Sequence, residues 1–196
     1  MIYLLIHFLH VIGALGMAAA YAVETAGLIG MRRATEAGEA RAWLRTRRWV
    51  LMVGPASIGL VLASGVYTIV SGWGWPGWIV VSSGSLVALA AIGGILTGIP
   101  MARIAPDIER ADGALSEELR HTIRGRLLAI SITTRIAVTL GIVFLMVRKP
   151  DLLPSVAVIG SAAAIGLAAG STFRVALPKP MTSIDGRLPP VKGAEA

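Results

Sequence analysis

Five long apolar runs, separated by short charged or turn-rich segments, dominate the chain and fall at about residues 2–30, 49–70, 78–99, 127–147 and 155–173. A helix needs ~20 predominantly apolar residues to cross the ~30 Å hydrocarbon core of a bilayer, and the last four runs are about that long. The first is longer, so part of it tilts or protrudes. No Lys or Arg precedes position 32, so this run lacks the basic start of a cleaved signal peptide and reads as a retained first helix. Barrel strands would alternate in polarity over ~10 residues, whereas these runs are continuously rich in Leu, Ile, Val, Ala and Gly. The predicted fold class is therefore all-α: a polytopic transmembrane helical bundle of five spans within one domain, residues 1–177. Residues 178–196, with Pro180, Gly186, Pro189, Pro190 and Gly193, have no apolar periodicity and read as a flexible cytoplasmic tail.

The connections give the bundle a direction. Fifteen Lys and Arg lie in residues 31–48, 101–126 and 174–196, against Arg148 and Lys149 alone on the opposite side. The positive-inside rule then predicts an N-terminus outside and a C-terminus in the cytoplasm. The outer loop Gly72-Trp73-Gly74-Trp75-Pro76-Gly77-Trp78 joins turn formers to three Trp, which favour the headgroup region and read as an interfacial anchor, or as an aromatic lid over a ligand. Pro55 reads as a kink in the second span and Pro100 as the stop of the third. Gly93, Gly94 and Gly98 read as small-residue helix packing. Ser116-Glu117-Glu118-Leu119 has the form of a helix start running straight into the fourth span, in a connection whose five acids and five Arg suit a solvated face. No internal repeat is visible.

Composition narrows the chemistry. Hydrophobic residues make up 55% of the chain and charged ones 15%, with a mean hydropathy of +0.75. A soluble domain carries about 25% charge, which excludes that class. The net charge of +7 comes from residues at the ends of the apolar runs, so it points to an anionic lipid surface and not to nucleic acid. The absence of cysteine rules out thiolate metal sites, iron–sulfur clusters and disulfides. No P-loop, GxSxG, HExxH or paired carboxylate within a span is present.

Ionisable residues inside spans are the informative ones, because each costs about 2.5–3.5 kcal/mol at mid-helix and must face protein or water. There are four: His7, His10, Glu24 and Arg135. On a helical projection His7, Gly13, Ala14, Met17, Tyr21 and Glu24 all lie within about 60° of His10, so the first helix has one polar stripe. His121, Arg124, Ser131, Thr139 and Met146 likewise lie within about 40° of Arg135. Glu24 sits about 9 Å in from Gly30 and Arg135 about 12 Å in from Leu127, both from the cytoplasmic side. These matched depths predict an intramembrane ion pair between the first and fourth spans, which either fixes their packing or lines a polar cavity for an anion or a proton path. His7 and His10 share a face, but no further His or Cys on that side completes a closed metal site, so no metal is expected beyond a haem iron. Haem needs one axial imidazole, with Met17, a second His, water or a symmetry mate available for the other face. The alternative for each His is a hydrogen bond to Ser or Thr of a neighbouring helix.

At Phe8-Leu9-His10-Val11-Ile12-Gly13-Ala14 the first helix resembles the opening helix of HemJ-type protoporphyrinogen oxidases and of CopD-like copper-resistance membrane domains. The end of the fourth span, Phe144-Leu145-Met146-Val147-Arg148-Lys149-Pro150 preceded by Arg135, is more similar to a group of uncharacterised bacterial predicted integral membrane proteins. The resemblance covers about thirty residues. It implies the cytoplasmic (inner) membrane of a bacterium, and a haem b ligated by His10 in a redox or haem-related role. The Trp and Gly pair that follow the His in HemJ-like proteins are replaced here by Leu15-Gly16-Met17-Ala18, and their later Lys has no counterpart in spans two to five. The implied activity is therefore haem binding more than protoporphyrinogen oxidation. Two other expectations remain open: an accessory subunit of a larger membrane complex or homo-oligomer, and a small transporter that uses Glu24 and Arg135 as a charged constriction.

Overall fold

The computed structural model describes residues 1–173, so the expected tail and residues 174–177 lie outside the described residues. All regular structure within them is helical: α1 (Ile2–Arg33), α2 (Ala37–Thr68), a π-turn (Ile69–Trp73), α3 (Gly77–Ile92), a π segment (Gly93–Gly98), α4 (Ile99–Arg110), α5 (Glu117–Ile123), α6 (Arg126–Arg148) and α7 (Leu152–Thr172). Five stretches are long and apolar enough to cross a membrane: Ile2–Arg33, Ala37–Trp73, Gly77–Arg110, Glu117–Arg148 and Leu152–Thr172.

Three boundaries differ from the sequence expectation. The second helix starts at Ala37, twelve residues early, because Ala37, Ala40 and Leu44 recur at helical spacing and are buried against other elements. The third does not stop at Pro100. Proline lacks an N–H and crowds the preceding turn, but here the wide π segment Gly93–Gly98 lies just before it, and Pro100 occupies the first turn of α4, where it is tolerated. The helix then continues, burying Met101, Ile104 and Ile108. Ser116 does open α5, its Oγ accepting from the Leu119 N–H at 3.3 Å, but the helix does not run into α6. Gly125, with φ −51° and ψ 139°, breaks it one residue before Arg126.

Two helical hairpins form the body. In α1–α2, glycines bring the backbones together: a Cβ at Gly13 would meet the Val61 side chain at 2.8 Å and the Ser57 carbonyl at 3.1 Å. In α6–α7, a Cβ at Gly166 would meet the Thr133 carbonyl at 2.9 Å, and Thr133 Oγ1 donates to the Gly166 carbonyl at 2.7 Å. Helix α3 packs on α6 and α7 but touches α2 only lightly, and α1 closes the bundle against α6.

One apolar core, with Met17, Tyr21, Val61, Leu86, Leu89, Val138 and Ile142, fills the middle. A second lies at the end carrying the basic connections and includes Leu28, Met31, Leu44, Met101, Ile108, Ile123 and Leu128. This basic end is laced by backbone bonds from Ala37 N to Gly113 O (2.9 Å) and from Leu115 N to Thr35 O (3.1 Å). Arg32, only 5% exposed, donates to the carbonyls of Ile123 (3.4 Å), Arg124 (3.4 Å) and Gly125 (2.7 Å), satisfying the C-terminus of α5. At the opposite, tryptophan end, Trp73 Nε1 donates to Tyr3 Oη at 3.0 Å, and Lys149 Nζ lies 4.4 Å from the centroid of the Trp73 ring.

Candidate functional site

Between the two apolar cores lies a polar layer built on Arg135. Its Nη2 donates to Glu24 Oε1 at 2.6 Å and to Thr97 Oγ1 at 3.4 Å, and its Nε to the Ser131 carbonyl at 3.4 Å. The guanidinium carbon sits 5.2 Å from the centroid of the Tyr21 ring, a cation–π approach. Thr97 Oγ1 donates in turn to Ser131 Oγ at 2.8 Å, so α1, the π segment and α6 meet in one network. The Glu24 and Arg135 side chains are 13% and 8% exposed. Gly93 makes room for the arrangement, since a Cβ there would lie 3.1 Å from Arg135 Nη1. Glu24 Oε2 is buried without a hydrogen-bond partner among the described residues.

This network forms part of the wall of a cavity of about 530 Å³ bounded by α1, α2, α3 with its π segment, and α6. Met17, Leu62 and Leu89 line it on one side of the polar layer and Leu28, Met31, Met101 and Leu128 on the other, with Glu24, Thr97, Arg135 and Arg47 as its polar lining residues. Lining residues Leu51, Pro55 and Gly59 of α2, with Ala90 and Gly94 on the α3 side, are exposed, so the cavity opens sideways through the gap between these helices. Those rim residues belong to apolar stretches, and in a bilayer the mouth would face hydrocarbon.

The residues singled out by sequence divide between two places. Glu24, Arg135 and Met17 line the cavity; His7 and His10 do not. His10 Nδ1 is 2.8 Å from Ser64 Oγ, whose own hydrogen is directed to the Leu60 carbonyl at 2.6 Å. With the Ser64 hydrogen on a carbonyl, Nδ1 is the donor in this bond and Nε2 carries the lone pair in the neutral ring. On the α2 side no space is left for a macrocycle beside it. The small residues that follow, Gly13 and Gly16, are filled by Val61 and Ser57 of α2, and the shallow apolar groove between α6 and α7 includes neither histidine. His7 Nδ1 lies 3.3 Å from the Tyr3 carbonyl, and its ring is 6.5 Å from that of Trp73. Among the described residues no three His, Asp or Glu gather as a metal site.

Sequence reasoning missed Arg47, Thr97 and Trp43 as wall residues. Arg47 was one of six Arg in a basic connection, and Thr97 lay in an ordinary apolar run; neither carried a distinguishing signal. No protein-family model, no curated protein and no solved structure matches the chain.

Proposed function

We propose that this is an integral protein of a bacterial cytoplasmic membrane, with its N-terminus outside and its C-terminus inside, that takes up an amphipathic molecule dissolved in the bilayer. The molecule enters between α2 and α3 and presents its polar group to the layer formed by Glu24, Thr97 and Arg135. One observation carries this reading: a buried charge pair in the wall of an otherwise apolar cavity of about 530 Å³ that opens laterally. Small-molecule sites typically enclose ~300–1,000 Å³, are mostly apolar, and fix orientation with a few convergent polar groups. An ionisable residue within a span marks a functional site by default, because its desolvation must be offset. The small-transporter expectation uses the same pair and requires this binding step first. Haem on His10 has no part in the reading.

Gly94 tests it. It sits at the mouth, and a Cβ there would meet nothing within 4 Å, so the backbone admits a side chain and Gly94→Trp, checked for an unchanged unfolding midpoint, should obstruct entry. A fluorescent apolar probe should bind the wild-type protein and lose most of its affinity for Gly94→Trp; equal binding by the two would overturn the proposal. Orientation is accessible because the chain has no cysteine. In whole cells a membrane-impermeant thiol reagent should label Trp75→Cys at once, and Gly38→Cys only after permeabilisation.

A further inference from the structure

We propose that the molecule in the cavity carries an anionic head of carboxylate or phosphate chemistry docked on Arg47, its apolar tail running toward Met17, Leu62 and Leu89. This rests on the cavity reading above and adds the ligand class to it. Three charged residues line the cavity, Glu24, Arg135 and Arg47. The first two neutralise each other at 2.6 Å, which leaves the lining one net positive charge.

The two arginines differ in what they have left to offer. Arg135 is surrounded by Glu24, Thr97, the Ser131 carbonyl and the Tyr21 ring. Arg47 makes one hydrogen bond, Nη2 to the Gly98 carbonyl at 3.1 Å, and among the described residues no carboxylate lies within 4.0 Å of it. A guanidinium has five N–H donors in a fixed fork that suits a carboxylate or phosphate, so most of this recognition capacity is free. The bond to Gly98 fixes one arm of the fork at the end of the π segment, which holds the group at the cavity wall. Trp43 and Thr46 line the same stretch of α2, and Trp43 is of the type favoured at a membrane interface. The cavity thus offers a cationic group within otherwise apolar walls, the complement of an anionic amphipath.

Binding of four probes to the full-length protein in uncharged detergent, at a pH where fatty acids are ionised, tests the assignment: a long-chain fatty acid, the alcohol and the amine of equal chain length, and acetate. The acid should bind about tenfold more tightly than the alcohol, as expected for a charge-assisted hydrogen bond, and the amine more weakly than either. Arg47→Gln should bring acid and alcohol to equal affinity while leaving the alcohol's unchanged, and Arg47→Lys should retain a preference for the acid. Acetate should not compete; if it competes as well as the fatty acid, the site is one for free small anions and the amphipath is wrong. Equal affinity of acid and alcohol for the wild-type protein would overturn the anionic head and leave the cavity reading intact. Failure of all three long-chain probes to bind, with Gly94→Trp behaving as wild type, would overturn the cavity reading itself.

Discussion

A carboxylate and a guanidinium 2.6 Å apart, both nearly buried, make each other tolerable in an apolar medium. Removing one leaves the other charged and unpaired, a loss of about 3–5 kcal/mol in buried pairs. Glu24→Gln and Arg135→Gln should each destabilise the protein by that order, and the double variant by clearly less than the sum, in denaturant unfolding in mixed micelles. His10 and Ser64 share a single neutral hydrogen bond, so Ser64→Ala should cost only about 0.5–1.5 kcal/mol. Haem on His10 is read directly from the visible spectrum of the purified protein, as a Soret band that vanishes in His10→Ala. Glu24 and Arg135 could be picked out from sequence because charges are rare inside spans and depth along a helix is simple arithmetic. Arg32 and Arg47 could not, because an arginine in a basic connection looks the same whether it faces water, caps α5 or lines a cavity.

At the scale of elements, glycine decides how closely helices approach. A Cβ at Gly166 or Gly170 would collide with the backbone of α6, which cannot swing aside as a side chain can. Gly170→Ala should therefore push α7 off α6 and lower the unfolding midpoint more than Gly160→Ala, where a Cβ meets nothing within 4 Å. The five spans were readable because apolar run length alone defines them. The extension past Pro100 had a weaker signal, the spacing of Met101, Ile104 and Ile108 on one face, which the usual reading of proline as a helix stop obscured. The π segment had none, since Gly93, Gly94 and Gly98 serve equally well for close packing.

For the whole molecule, the gap between α2 and α3 follows from how the elements pair. Each hairpin is bound tightly within itself, while α3 leans on α6 and α7 and leaves α2 largely alone. The α1–α2 hairpin is held to the rest by the Glu24–Arg135 pair and the Arg47 bond to Gly98 and, at the basic end, by Arg32 and the bonds linking residues 35–37 to 113–115. Disrupting that restraint with Arg32→Gln should increase hydrogen exchange in α5 and at the start of α6 before it affects α7. No sequence pattern announced the gap, because the aliphatic residues around a lateral opening are the same kinds that face lipid elsewhere.

The ion pair also has a history within each molecule's synthesis. Glu24 precedes Arg135 by 111 residues, so the ribosome delivers the acid to the membrane long before its counter-charge exists. A chain arrested after α3 holds Glu24 without its 2.6 Å partner, with Arg47 the one other charged residue of the cavity lining already made, and an incompletely paired charge within a span is costly. In pulse-chase experiments such a truncated chain should disappear faster than the same fragment carrying Glu24→Gln, with the difference lost once Arg135 has been made. The two charges would then act as a checkpoint on completion, letting a nascent chain persist only when its fourth crossing has joined its first.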